Sequence, residues 1–271
     1  MVGPYFAGLH GFPVDQVARR DVAAALVTIS RQRSPITAGL ARTALQGFYV
    51  WAMQQGLVES NPVIGTAVPV MGKARERVLT DDELIRIWKA CWDDDYGRVI
   101  RLLILTGCRR QEVGGMGWSE LDLERGTWTI PAARSKNGRA HTLPLPAMAL
   151  DILAAVPHRA SRDQLFGSRA GDGFVSWGKG KLALDARSEV QGWVVHDVRR
   201  SVATRLADIG IAPHIIEQVL NHQSGHKGGI AGVYNKSSYE REVRAALALW
   251  ADHIRSLVEG GERKIVNFPA S

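Results

Sequence analysis

The stretch "VVHDVRRSVATRLADIG", Val194 to Gly210, combines a packing pattern with a set of polar groups. Val198, Val202, Leu206 and Ile209 recur at helical spacing and define a buried stripe. His196 and Arg199, three residues apart, project from neighbouring positions on its flank. Arg200 points further round to solvent, and Arg205, close to the stripe, has to snorkel. Taken alone, the pattern is satisfied by an ordinary helix N-terminus with incidental polar groups.

Upstream, "TGCRRQEVGGMGW" (Thr106 to Trp118) sets Arg109 and Glu112 three apart, on one face at the start of a helix, where a carboxylate can hold a guanidinium in place. An isolated pair of this kind reads as a surface ion pair. Between the two arginines lie "GTWTIP" and "AHTLPLP", both of strand composition, joined through "AARSKNGR" with Asn137-Gly138 as a hairpin-turn signal. Lys136 sits at the tip, on a stem long enough to reach a groove or donate a proton. If the fold brings Arg109 and Arg199 together, their planar guanidiniums can clamp one phosphate diester. Downstream, "VLNHQSGHKGG" places His222 just past an Ile/Val/Leu-rich helix, and "GGIAGVYNKSSY" offers two aromatics, Tyr234 and Tyr239.

The rest of the chain frames these pieces. Residues 14 to about 56 read as helical: "VDQVARRDVAAALVTISRQ" is amphipathic, and a second helix starts with Ser34 as N-cap and Pro35 in its first turn and ends at Gly56. Leu45, Phe48 and Ala52 share one face of it. A Pro/Gly-containing stretch around residues 66–78 turns basic at Lys73, Arg75 and Arg77 and marks a domain boundary. Thr80 and Glu83 then have capping-box spacing ahead of "LIRIWKACW". "DYGRVIRLLILTG" reads as a helix ending at Gly107, another begins at "RRQEVGGM", and helical patterns resume at "MALDILAAV" and from His196 to His222. A last helix spans roughly Tyr239 to Val258, with Val243, Leu247 and Trp250 on one side, and "KIVNF" in the tail has the look of a short added strand.

Composition narrows the function classes. The 271 residues, 45% hydrophobic, are enough for one large domain or two smaller ones. Thirty-four Lys+Arg against 27 Asp+Glu leave +7, which favours a polyanionic partner if the excess is gathered on one surface. The two cysteines, Cys91 and Cys108, have neither disulfide nor zinc-ligand spacing, which fits a reducing cytosol. No signal peptide pattern opens the chain, and apolar runs such as "VIRLLIL" are broken by charge well before membrane-spanning length.

Five short boxes, in this order, resemble the tyrosine recombinase family, the phage-type integrases: "TGCRRQE", "SKNG" between two strands, "HDVRR", "LNH" and "GVYNK". The wording is similar to the prophage and satellite-phage branch, and the resemblance covers residues 79–258. It implies a mostly α fold with a small antiparallel β-sheet: a helical core-type DNA-binding domain at 1–72, a basic linker at 73–78, a catalytic domain at 79–258 and a C-terminal tail at 259–271. The additional arm-binding domain of that branch is expected to be absent. The implied activity is site-specific cleavage and rejoining of double-stranded DNA at att-type sites, without metal, cofactor or ATP, in the bacterial cytoplasm.

The resemblance also implies residue roles. Arg109 and Arg199 hold the non-bridging oxygens of the scissile phosphate, and Tyr234 attacks it to leave a 3′-phosphotyrosine and a free 5′-hydroxyl. Lys136 protonates the leaving oxygen, His196 assists proton transfer at the tyrosine, His222 hydrogen-bonds the phosphate and Glu112 is a supporting residue. Arg42, Lys73, Arg75, Arg77, Arg110 and Arg139 are further candidate DNA contacts. Assembly to a tetramer on DNA through residues 247–271 is implied, as is a DNA-bending accessory protein. One departure is Asn221, where the family more often has glycine; asparagine tolerates left-handed backbone geometry.

The chemistry has independent sense. A diester's charge repels nucleophiles, so two fixed arginines supply the transition-state stabilisation a metal ion would otherwise give. A phenol with pKa ~10 needs a nearby base or cationic field to attack. The rival reading is a basic helix-turn-helix regulator, since "ATRLADIGIAPHIIEQVLNH" reads as helix, Gly-containing turn and second helix. It explains the charge but neither the Lys136 hairpin nor Tyr234. A catalytically dead integrase and a type IB topoisomerase are the remaining alternatives.

Overall fold

The computed structural model describes residues 4–69, 75–160, 162–168, 171, 173–222 and 239–260. The chain divides into two compact units, Met1–Glu76 and Arg77–Ser271.

The first unit is helical. After a 3-10 segment, Pro4–Leu9, come α1 (Arg19–Gln32) and α2 (Pro35–Gln54). The expected helix from residue 14 starts later, because residues 13–16 form a turn and the Asp21 carboxylate accepts the Ala18 N–H at 2.9 Å, which caps the helix there. The Ser34 hydroxyl accepts the Thr37 N–H at 3.1 Å, and Pro35 occupies the first helical position. Val22, Leu26 and Ile29 of α1 and Ala38, Leu45, Tyr49 and Ala52 of α2 form the core, with Phe48 packed at its edge. The Tyr49 hydroxyl, buried with its ring, donates to the Val14 carbonyl at 3.1 Å.

In the second unit α3 (Asp81–Ala90) opens with the reciprocal cap expected of Thr80 and Glu83: the Glu83 N–H donates to Thr80 Oγ1 at 3.2 Å and the Thr80 N–H to Glu83 Oε2 at 2.9 Å. α4 (Asp95–Thr106) is buried on nearly every side and ends at Gly107, whose φ of 64° is left-handed. A Cβ there would also meet Val202 at 3.0 Å and Leu220 at 3.1 Å. A five-residue helix, α5 (Arg110–Gly114), leads into a three-stranded antiparallel sheet, β1 (Leu121–Asp122), β2 (Thr127–Ile130) and β3 (His141–Pro144). Trp128 pairs with Leu143 and Ile130 with His141, so the Lys136 segment joins two adjacent strands.

α6 (Ala147–Ala154), α7 (Trp177–Ser188), α8 (Val195–Asp208), α9 (Pro213–Val219) and α10 (Glu240–Glu259) complete the described unit. The fold is mostly α with a small antiparallel sheet, as expected. α7 is an element the sequence pattern does not announce: only Leu184 and Ser188 are buried, and glycines interrupt its first turn. Tertiary packing supplies what propensity lacks, because α7 lies against α3 and a Cβ at Gly180 would come within 2.5 Å of the Tyr96 ring. The helical run from His196 to His222 is two helices, broken where Gly210 adopts a φ of 87° and Pro213 restarts the chain. In α10, Val243, Leu247 and Trp250 are buried, and the Trp250 indole donates to the Ile104 carbonyl at 2.7 Å. "KIVNF" lies outside the described residues. Among the described residues no helix is long and apolar enough to cross a membrane.

Candidate active site

The site is built on the end of α9. Its final turn closes as a Schellman cap: the Asn221 N–H donates to the Gln218 carbonyl at 3.1 Å and the His222 N–H to the Glu217 carbonyl at 2.9 Å, with Asn221 left-handed at φ 47°. The carbonyls of Leu220 and Asn221 then receive the two arginines: Arg199 Nη2 donates to Leu220 O at 2.5 Å, and Arg109 Nη2 to Asn221 O at 3.3 Å.

Each arginine has a second anchor. Arg199, only 8% exposed, donates through Nη1 to the Gly107 carbonyl at 2.8 Å. Arg109 is the N-cap of α5, and its Nη1 meets Glu112 Oε1 at 2.8 Å while its own N–H meets Oε2 at 2.8 Å. Glu112 is 4% exposed, so this pair is a buried structural clamp rather than a surface ion pair. Arg134, which the sequence did not single out, holds the same turn by donating to the Glu112 carbonyl at 2.5 Å and to Glu120 Oε1 at 2.8 Å.

Burial draws the Arg199 guanidinium below its ordinary pKa, and the charge of Arg109 adds to the effect. A guanidinium stays protonated regardless, so the site concentrates two positive charges. His196, exposed at the start of α8, is lowered first by partial loss of water and then by Arg199 and Arg200, against the pull of Asp197. His141 on β3 is also lowered, first by burial, with Glu112 opposing and Arg109 and Arg199 adding. Burial pushes the Cys91 and Cys108 thiols up to about 12, which keeps them protonated.

Lys136 is exposed on the turn Ser135–Gly138, where the Gly138 N–H donates to the Ser135 carbonyl at 3.0 Å. His222 is exposed beyond the α9 cap. Tyr234 and Lys73 lie outside the described residues. Arg200 does not reach out to solvent as expected; it donates to buried Asp197 at 2.7 Å and to the Arg77 carbonyl at 3.3 Å. Of the outlying basic candidates, Arg42 is engaged by Thr66, Gln46 and the Val63 carbonyl, and Arg77 by Glu83 and the Val78 carbonyl. Arg75, Arg110 and Arg139 are exposed, Arg110 standing over the Trp177 ring at 5.6 Å. No group of three His, Cys, Asp or Glu side chains that could hold a metal ion occurs among the described residues.

Residues 77–241 match the phage integrase family, and the chain belongs to that family. Prophage integrase IntA of Escherichia coli K12 is 29% identical over 219 residues, 78% of this chain and 52% of that protein. Prophage integrase IntZ of the same strain is 30% identical over 253 residues, 90% of this chain and 61% of that protein. The chain thus spans between about half and three fifths of these relatives. Among solved structures, a lambda integrase (75-356) dimer bound to a COC′ core site has the same fold, with a TM-score of 0.59 at 22% identity over 78% of this chain and 81% of that one. The integrase from mycobacterium phage Brujita gives a TM-score of 0.55 at 18% identity over 94% of this chain and 88% of that one.

Proposed function

We propose that this protein is a site-specific DNA recombinase that cleaves and rejoins strands through a 3′-phosphotyrosine formed by Tyr234. The observation that carries the reading is the pair Arg109 and Arg199, both hung from consecutive carbonyls of one helix cap. A guanidinium has five N–H donors, and the described contacts engage two groups on each arginine, leaving others for the oxygens of one phosphate. As the tyrosine oxygen attacks phosphorus, charge accumulates on those oxygens, and donors already fixed in place stabilise it without reorganising.

In this reading Lys136 delivers a proton to the leaving 5′-oxygen, and His196, kept neutral by its surroundings, accepts the tyrosine proton. His222 donates to the phosphate, and Glu112 fixes Arg109. The bond energy kept in the phosphotyrosine drives rejoining by a 5′-hydroxyl, with no ATP. The partner is double-stranded DNA, which the relatives' names and the +7 charge both favour. Met1–Glu76 serves as a second DNA-gripping unit, and Arg75, Arg110 and Arg139 make phosphate contacts.

A lambda integrase tetramer bound to a Holliday junction is among the solved structures of the same fold, and assembly of this kind on DNA is part of the proposal. The segment exchanged between protomers lies, in this proposal, within residues 247–271, of which Leu247, Trp250 and Ile254 are buried in their own unit and 261–271 lie outside the described residues.

The test is covalent capture. On a nicked suicide duplex carrying the att-type site, the protein is expected to form a protein–DNA adduct that survives denaturation, and Tyr234→Phe to form none while still binding DNA. Adducts persisting in Tyr234→Phe would refute the nucleophile. DNA binding without adducts by the unaltered protein would favour the non-catalytic reading.

A further inference from the structure

We propose that Asn221 is a positioning residue whose side-chain amide fixes the Lys136 turn against the two arginines. This inference rests on the function proposed above, in that it takes Lys136 as the proton donor. Three side chains close a ring of hydrogen bonds. The Ser135 hydroxyl donates to Asn137 Oδ1 at 2.7 Å, the Asn137 amide donates to Asn221 Oδ1 at 2.7 Å, and the Asn221 amide donates to Ser135 Oγ at 3.0 Å. Ser135 and Asn137 flank Lys136 on both sides, and Ser135 is buried.

The backbone of the same residue accepts Arg109 Nη2, and the preceding carbonyl accepts Arg199 Nη2. Asn221 therefore connects the phosphate clamp, through its main chain, to the acid-bearing turn, through its side chain. Neither link is needed for the helix cap. At φ 47° after a helix glycine serves with least strain and asparagine is tolerated, so the cap itself does not call for the side-chain amide. Without the ring, the turn retains the Gly138-to-Ser135 backbone bond, the bond from the Arg139 N–H to Asn137 Oδ1 at 3.2 Å and the bonds from the Ser135 N–H to the Pro131 and Ala132 carbonyls at 3.1 and 3.2 Å, all within residues 131–139. Those bonds shape the turn but do not tie it to the α9 cap that holds the arginines.

The test uses Asn221→Gly, which keeps the left-handed cap and deletes only the amide, and Asn137→Ala, which breaks the ring from the other side. Single-turnover adduct formation is measured on two suicide duplexes, one with the natural 5′-oxygen at the scissile position and one with a 5′-bridging sulfur. A thiolate leaves without needing a proton, so a defect transmitted through the acid disappears on the sulfur duplex. Asn221→Gly is expected to slow cleavage of the oxygen duplex by about 10- to 100-fold, a part of what a placed general acid contributes. It should cleave the sulfur duplex within a few-fold of the unaltered protein. The Asn137→Ala effect should not add to it, as members of one network do not. Amide hydrogen exchange at residues 136–139 should quicken in both variants. Equal loss on both duplexes, or no loss on the oxygen duplex, would overturn the positioning role. If the unaltered protein forms no adduct on either duplex, the proposed function fails and this inference with it.

Discussion

Arg109 and Glu112 hold each other twice, through the guanidinium at 2.8 Å and through the Arg109 backbone N–H at 2.8 Å, with the carboxylate almost fully buried. One side chain thus caps α5 and orients a catalytic candidate. Removing it leaves a partly buried cation without its partner and an open helix end. Glu112→Ala is expected to destabilise the protein by about 3–5 kcal/mol, read from urea unfolding. Glu112→Gln should retain more of the stability, because the amide oxygen can still accept the backbone N–H. A loss below about 1 kcal/mol in Glu112→Ala would show that the pair contributes no more than a surface one.

Arg199 donates to two carbonyls from different segments, Gly107 and Leu220. Lysine cannot reproduce that planar fork. Arg199→Lys is therefore expected to lower single-turnover cleavage by about 10²- to 10³-fold, while DNA affinity changes only a few-fold. Because the arginines supply the positive charge, EDTA should leave cleavage by the unaltered protein unchanged. Cleavage at the full rate in Arg199→Lys would remove the residue from the chemistry.

The pH response follows from His196. Its pKa is lowered, first by partial loss of water and then by Arg199 and Arg200, which favours the neutral imidazole at pH 7. The acid limb of the cleavage profile should lie below the ordinary histidine value of about 6.5. Stability moves in the same sense. The unfolded chain takes up the proton first as pH falls, so the contribution is complete above about pH 6.5 and is lost as pH drops through the native pKa. Replacing His196 with Gln should flatten both dependences in that range. An acid limb unmoved by His196→Gln would assign it to another group.

Tyr239 is the control for Tyr234. It sits in left-handed geometry at φ 49° as the N-cap of α10, half-buried, with its ring 5.1 Å from that of His214. Tyr239→Phe preserves the ring and should form adducts within a few-fold of the unaltered protein. Abolition of adducts by Tyr239→Phe would make the later tyrosine the nucleophile.

Features that depend on near neighbours could be read directly from the chain. Ser34 capping Thr37, the Thr80–Glu83 box and the left-handed stop at Gly107 each involve residues within about one helical turn, so spacing and residue type are enough to specify them. The strands around Asn137-Gly138 and the buried faces of α8 and α10 follow from period and turn chemistry for the same reason. The order of the five boxes identified the family. Tertiary structure alone decided which polar groups from distant segments meet. Arg109 finds Asn221 across 112 positions, Asn221 finds Ser135 across 86, and no local pattern encodes such pairings. The same holds for α7, shaped by a close approach to Tyr96, and for Arg42, Arg77 and Arg200, whose guanidiniums are engaged inside their own units. Periodicity records which face of an element is buried, but a hydrogen bond between distant segments exists only once the chain between them has been folded.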